Sequence, residues 1–533
     1  MMPVKERIAN LGKVALLLMV LPILTGWYFA IWSRYELTED KENPRNISRP
    51  ELRGRLLDRT GKPLAYSTGV RRNYPLGKAA ASLIGYFDIR LGASGMEGQF
   101  DLMLQGRQRP GDLVEGKGVA PLQRVQGPDV VLSLDADLQQ QAYDLLAGRN
   151  GAIVLLHVPT GELLAAASYP SYDPRHLGDR WDDLTKDPAA PLFHRGLGGL
   201  YSPGSTFKVL TMVAALSEKV ATSGTVFYCG GGLPIGDYTM VDSHAGGHGS
   251  LSLEEALAQS CNVTFGGLGL KLGLPKLEKW MHRTGVLAGS PDLRDLAKGL
   301  PPAEDGSQVE TAQAGIGQGT FLVTPTGMAR LCAVIARGGL DVPPRVYRAQ
   351  LRGREAFVTD KPPIATRVVD AKIAAAVSQA MRAVVERGTG GGAVVEGYKV
   401  AGKTGTAENP RGKPDAWFIG FAPADKPLFA VCVMLENQGY GGTYSAPLAA
   451  KVLKAALKSP LGPKPPKPKA PAKGAKGAPK AGATPKAGGT PQVGGTPPAA
   501  VASPAPTPAS PTPTSPTPTP AAKLTSTAET VGI

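Results

Sequence analysis

The chain is sparing with the residues that mark metal, redox and phosphate chemistry. Its 533 residues include only four cysteines, Cys229, Cys261, Cys332 and Cys432, and six histidines. No Cys-x-x-Cys and no metal-ligand spacing occurs, which argues against a zinc ribbon or a dithiol oxidoreductase. Cys332 and Cys432 lie in apolar runs and read as buried thiols. An even count permits disulfides outside the cytoplasm, and a Cys229–Cys261 bridge is one option, but the sequence does not supply the pairing. His244 and His248 are four apart, yet Ala245-Gly246-Gly247 separates them and Gly249 follows, so no helix aligns the rings. Only Asp242 joins them, so the reading is a loop near a cleft, with no metal site expected. The glycine-rich run at 388–392 lacks the Lys-Ser/Thr ending of a phosphate loop and reads as a flexible connection.

Basic clusters interleaved with aromatics are also missing from the body of the chain. The formal charge is +15, but eight lysines against one glutamate lie beyond Ser459, so about half the excess belongs to a tail. Nucleic-acid binding is therefore not expected. Long hydrophobic runs are scarce too, with one exception. Residues 14–32 are apolar throughout, nineteen in all, just enough to span a bilayer as a helix. Trp27, Tyr28, Trp32 and Tyr35 gather at its far end, where aromatic rings favour the membrane interface. No small-x-small cleavage site follows, so an uncleaved single-pass anchor is expected. Lys5, Arg7 and Lys13 on one side balance Arg34, Lys41 and Arg45 on the other. Orientation therefore rests on the size and chemistry of the segment C-terminal to the run, which place the bulk outside the cytoplasm.

The expected organisation is a cytoplasmic stub (1–13), the anchor (14–32), a turn-rich segment (33–126), a body (127–458) and a tail (459–533). The tail is Pro, Ala, Lys and Thr-rich and cannot bury enough apolar surface to offset chain entropy. A capped helix is expected at 135–146, and a hairpin at 153–158 and 162–168 around Pro159-Thr160-Gly161. Helical periodicity dominates 205–218, 253–259, 262–272 and 325–337. Strands are expected at 398–401, 416–422 and 428–435, with a last helix at 445–458. Strands at both ends with helices between them suggest a helical lobe on an antiparallel sheet.

Three short motifs carry chemistry: Ser205-Thr206-Phe207-Lys208, Ser260-Cys261-Asn262 and Lys403-Thr404-Gly405-Thr406. A Ser-x-x-Lys alone arises about twice by chance in a chain this long. The order and setting of the three are what count, and the set is that of a penicillin-recognising serine acyl-transferase. Residues i and i+3 share a helix face, so Lys208 can lie beside Ser205. Serine needs a base, and lysine serves only when burial or a nearby cation, here Lys403, lowers its pKa. Ser260 could relay a proton, and Asn262 offers an amide to a peptide. The N–H groups of Ser205 and Thr406 suit an oxyanion hole. Gly405 would let a substrate backbone approach, and the hydroxyls of Thr404 and Thr406 suit a carboxylate. These residues together imply an acyl-enzyme on Ser205, formed from a peptide with a free carboxylate.

With these motifs the chain resembles a class B penicillin-binding protein, over almost everything from Arg53 to Lys458. Arg53-Gly54-Arg55-Leu56-Leu57-Asp58-Arg59-Thr60-Gly61-Lys62-Pro63-Leu64-Ala65, Gly95-Met96-Glu97 and Leu104-Gln105-Gly106 resemble the family's pedestal signatures. Gly315-Ile316-Gly317-Gln318-Gly319 before Thr324-Pro325 resembles its cleft-lining loop. The short pedestal and Asn43-Pro44-Arg45-Asn46 are most similar to the penicillin-binding protein A type. The resemblance implies an α+β (α/β) penicilloyl-serine transferase fold: a five-stranded antiparallel sheet flanked by helices, an all-helical lobe and a small pedestal (33–126). It implies a membrane-anchored peptidoglycan D,D-transpeptidase, active in cell shape or division, that cross-links stem peptides ending in D-Ala-D-Ala without a cofactor. It also implies covalent inhibition by β-lactams and a SEDS-type glycosyltransferase partner. The tail departs from the family pattern. Glu97 reads equally as a partner contact or an ion pair.

Three rivals share these residues. The first is a β-lactamase or a β-lactam-binding sensor on the same site; a β-lactamase needs a glutamate to activate deacylating water, and no Glu-x-x-Leu-Asn follows Ser260. A non-catalytic scaffold would tolerate Ser205→Ala. A D,D-carboxypeptidase differs only in passing the acyl group to water rather than to an amine.

Overall fold

The computed structural model describes residues 52–463, apart from 108–125, 291, 303–305, 354, 358–363 and 411, together with Leu18, Val20, Leu21, Pro22, Thr25 and Tyr28. Those six are helical and exposed. No helix among the described residues is long and apolar enough to cross a membrane. The anchor expected at 14–32 and the tail expected at 459–533 lie mostly outside the described residues.

A five-stranded antiparallel sheet organises the body. Its strands run in the order Ala401–Ala407, Asp415–Ala422, Phe429–Leu435, Gly151–His157 and Leu163–Tyr169. Both faces are covered, which is why these strands read as continuous apolar runs without alternation. Pleating sorts the side chains by parity. Ile153, Leu155, Phe418, Val431 and Val433 pack with Leu138 and Ala142 of the Ala136–Leu146 helix and Val452 and Leu453 of Gly441–Lys458. Val154, Leu156, Trp417, Ile419, Cys432 and Met434 face the helical lobe instead. Fully burying one such aliphatic or aromatic side chain contributes about 1.5–3 kcal/mol.

Most of the expected elements are present. Asp135 caps its helix by accepting from the N–H groups of Asp137 and Leu138. Helix Asn262–Leu272 spans 262–272 as expected. The third motif's strand starts at Ala401 and carries the motif itself, rather than ending at 401. The last helix begins four residues before 445, at Gly441. Helix Ala371–Arg387, absent from the expected elements, buries Ala374, Val377, Ala380, Met381 and Val384 along one stripe and is capped by Asp370.

The lobe is not all-helical. Val226–Cys229 pairs with Gly249–Ser252, and Gly232–Ile235 pairs with Tyr238–Val241 across the Gly236-Asp237 turn. Two-residue turns with glycine first and positive φ favour hairpins, and Gly236 has φ +57°. A second sheet, of six strands, joins Leu56–Leu57, Pro63–Thr68 and Arg71–Asn73 to Asp129–Leu132, Tyr347–Arg352 and Glu355–Phe357. Residues on both sides of position 126 therefore share one sheet. Glu97 lies fully buried beside it, bonded to Arg53 Nε at 2.8 Å and Arg72 Nε at 2.7 Å. It is a structural ion pair. The glycine run after Arg387 is packed, since a Cβ on Gly388 would lie 2.2 Å from the Ala258 carbonyl oxygen.

Candidate active site

Ser205 sits on the 3-10 turn Gly204–Phe207, and Lys208 opens the α-helix Lys208–Ser217 that succeeds it. Side chains three apart eclipse on a 3-10 turn, which stacks the amine on the hydroxyl more directly than an α-helix would. Lys208 Nζ lies 3.1 Å from Ser205 Oγ. Gly204 makes the turn possible. Its φ is +52°, and a Cβ there would stand 2.6 Å from the Thr406 carbonyl oxygen. The Gly204 N–H donates to the Gly317 carbonyl at 2.8 Å, which seats the 315–319 loop against the nucleophile turn.

Lys208 Nζ also lies 2.6 Å from the Ser260 carbonyl oxygen, 2.7 Å from Asn262 Oδ1 and 3.2 Å from Ser260 Oγ. Two of these four oxygens are carbonyls and can only accept. A neutral amine has two N–H bonds and one lone pair. It can donate to both carbonyls and turn its lone pair toward the hydroxyls. Burial drives the Lys208 pKa down to about 7, against a smaller upward pull from Asp242. Of the two expected causes, burial or a cation at Lys403, burial is the main one. Lys403 is itself pushed well below the usual lysine range, by burial and then by Lys208.

Ala401 and Ala407 belong to the core facing the lobe, so pleating turns Lys403 and Gly405 the same way and Thr404 and Thr406 the other. Lys403 Nζ, fully buried, donates to the Thr404 carbonyl at 3.0 Å. Gly405 has a packing reason beyond the expected substrate clearance. A Cβ there would meet Thr206 Cγ2 at 2.8 Å and Trp417 Cβ at 2.9 Å. The hydroxyls of Thr404 and Thr389 are 2.6 Å apart. Ser205, Ser260, Asn262, Thr404, Gly405 and Thr406 all line one cleft of about 840 Å³, which Gln318 and Gly319 also line.

Ser260 has φ +60°, rare for a residue with a side chain. Asp242 anchors that segment: its Oδ2 accepts from the N–H groups of Asn262 at 2.7 Å and Val263 at 3.3 Å. In sequence Asp242 is notable only as a neighbour of two histidines, because twenty residues separate it from the segment it holds. Its other neighbours are equally remote in sequence. Cys229, Asp242, His248 and Cys261 bring their ligand atoms within 4.8 Å of one another, the one such group able to hold a metal among the described residues. All four cysteines are free thiols, so Cys229 and Cys261 meet without a bridge.

A serine faced by a buried amine that loses its proton near neutral pH, under a strand edge able to seat a carboxylate, defines a serine acyl-transferase of the penicillin-recognising kind. Comparison with known proteins agrees. Residues 151–454 match the family described as penicillin binding protein transpeptidase domain. The chain is 32% identical over 499 residues to the peptidoglycan D,D-transpeptidase PbpA of Mycolicibacterium smegmatis, covering 84% of this chain and 99% of that one. It is 31% identical over 471 residues to the peptidoglycan D,D-transpeptidase MrdA of Acinetobacter baumannii, covering 74% and 68%. Among solved structures, penicillin-binding protein A from M. tuberculosis as a ceftriaxone acyl-enzyme complex matches with a TM-score of 0.70 at 29% identity, covering 77% and 99%. The chain belongs to the class B penicillin-binding proteins, most like the penicillin-binding protein A type.

Proposed function

We infer that the chain is a peptidoglycan D,D-transpeptidase, penicillin-binding and serine-dependent. The observation that carries this reading is the buried Lys208 amine, 3.1 Å from Ser205 Oγ and 3.2 Å from Ser260 Oγ. Neutral Lys208 takes the Ser205 proton as Oγ attacks the carbonyl of a terminal D-Ala-D-Ala bond. The N–H groups of Ser205 and Thr406 hold the oxyanion, one such donor lowering the barrier by about 2.7–4 kcal/mol. Protonated Lys208 then returns a proton through Ser260 to the departing D-alanine, leaving an ester on Ser205. An acceptor amine attacks that ester, loses its proton by the reverse route and restores Ser205. Asn262 holds the donor peptide, while the hydroxyls of Thr404 and Thr406 seat its terminal carboxylate and Lys403 stays buried behind their strand. A β-lactam enters by the same first step, but its ring opening leaves no departing group to clear the site.

The apolar run at 14–32 anchors the chain in the cell membrane with the catalytic body outside, above a pedestal formed from 33–126. A SEDS-type glycosyltransferase in the same membrane is the partner that supplies glycan. Fluorescent penicillin provides the test: wild type becomes labelled and Ser205→Ala does not. Labelling of Ser205→Ala at the wild-type level would overturn the assignment. Product analysis with and without an acceptor amine then separates transfer from hydrolysis.

A further inference from the structure

We propose that a groove of about 470 Å³, apart from the catalytic cleft, binds the phosphate group of a phosphate ester. Four arginines line it, Arg71, Arg72, Arg90 and Arg175, against one carboxylate, Asp88. Asp88 is turned to the backbone, its Oδ1 accepting from the N–H groups of Arg90 and Leu91. Asp173 holds Arg175 through Nε and Nη2. The guanidinium groups of Arg71 and Arg90 are exposed and have no hydrogen bond or ion pair among the described residues.

Exposed arginines alone do not make a site, but two buried donors beside them do. Arg72 is 8% exposed and gives Nε to Glu97 and Nη1 to Ser67, yet its Nη2 is buried without a partner. Tyr74, 6% exposed, accepts the Phe87 N–H on its hydroxyl oxygen at 2.7 Å. Its own hydroxyl hydrogen has no acceptor among the described residues. Residues two apart on an extended chain share a face, so both donors belong to one wall of the groove. Buried polar groups are nearly always satisfied, and two such donors on one wall call for an acceptor from outside the chain.

The donors arrive from three directions. Arg71 and Arg72 belong to strand Arg71–Asn73, and Arg90 to the turn between Phe87–Asp88 and Gly92–Ala93. Arg175 precedes helix Leu177–Lys186, which starts at the groove without a side-chain cap. Arg90 Nη2 rests against that helix start, 3.0 Å from where a Cβ on Gly178 would stand. The positive end of the helix adds to the attraction for an anion. A carboxylate presents two oxygens in one plane. A phosphate ester presents three terminal oxygens and a charge of about −1.5 to −2 at pH 7, and guanidinium groups pair with it two bonds at a time. Such a group reaches the groove as a membrane headgroup or from solution, and the recognition chemistry is the same.

Titration calorimetry on the full-length chain in uncharged detergent tests the site. One arm uses glycerol 3-phosphate, the other mixed micelles of short-chain phosphatidylglycerol. Saturable binding of about one phosphate per chain is expected in at least one arm, which identifies the source, with succinate bound at least about 10-fold more weakly. The double variant Arg71→Gln, Arg90→Gln and the single variant Tyr74→Phe should each weaken binding by about 10-fold or more, as loss of hydrogen bonds to a charged group does. Penicillin acylation of Ser205 at the wild-type rate checks that each variant is folded, because none of these residues lines the catalytic cleft. No binding in either arm, or equal affinity for succinate, would overturn the site. So would unchanged affinity in folded Tyr74→Phe, which would reduce the groove to surface charge.

Discussion

Lys208 Nζ and Ser205 Oγ lie 3.1 Å apart, with the lysine side chain entirely out of contact with solvent. A lysine whose pKa falls from 10.5 unfolded to about 7 folded has a definite linkage sign. Between those values the unfolded chain binds more protons, so stability rises with pH. The Lys208→Met variant lacks that slope. Between pH 7 and 9, wild type should gain about 2 kcal/mol on Lys208→Met, measured by urea unfolding at both pH values. A constant difference would mean that the amine is not desolvated.

Ser260→Gly separates strain from chemistry. Glycine accepts the φ of +60° without penalty, whereas a side chain there costs about 1–2 kcal/mol. Stability should stay within about 1 kcal/mol of wild type once glycine's greater unfolded-state freedom is included. Acylation by penicillin, followed by stopped-flow, should fall about 10²–10⁴-fold through loss of the relay hydroxyl. Wild-type acylation would remove Ser260 from the mechanism.

Gly204→Ala should damage both properties. Its methyl group would lie 2.6 Å from the Thr406 carbonyl oxygen on a backbone of φ +52°. A loss of about 2–4 kcal/mol is expected in denaturant titration, together with loss of fluorescent penicillin labelling, because the nucleophile turn must leave the motif strand. A variant as stable and as reactive as wild type would contradict the packing described.

Glu97 tests a region remote from the cleft. Burial alone would raise its pKa, but Arg53 and Arg72 together hold it below the usual glutamate range. Stability contributed by this group is complete above the unfolded pKa and is lost as pH falls through the folded one. Glu97→Ala leaves two buried guanidinium groups short of their partner and should cost about 3–5 kcal/mol at pH 7. Penicillin acylation of the remaining folded protein should be unchanged. Reduced acylation without reduced stability would point to a functional role for the region around Glu97.

The sequence was most legible where chemistry is contiguous. Ser205 with Lys208, and Lys403 through Thr406, are short strings whose local structure places them. The core strands were legible because both faces of the sheet are buried. What escaped depends on contacts between distant segments. Asp242 reaches the N–H of Asn262 across twenty residues, and Cys229 meets Cys261 and His248 only after two hairpins fold. The Val226–Cys229 and Gly249–Ser252 strands are short, and the helical periodicity of the surrounding segment masks them. Gly405 was legible as a glycine, but not for its contacts with Thr206 and Trp417, which come from other elements.

The most direct measurement is the second-order rate of acylation by penicillin from pH 5 to 9, for wild type and Lys208→Arg. In wild type the rate should rise about tenfold per pH unit below the Lys208 pKa of about 7 and level off above it. The arginine variant, permanently charged, should react at least about a thousandfold more slowly throughout. A flat wild-type profile, or an arginine variant labelled at the wild-type rate, would show that Ser205 is activated by something other than this amine.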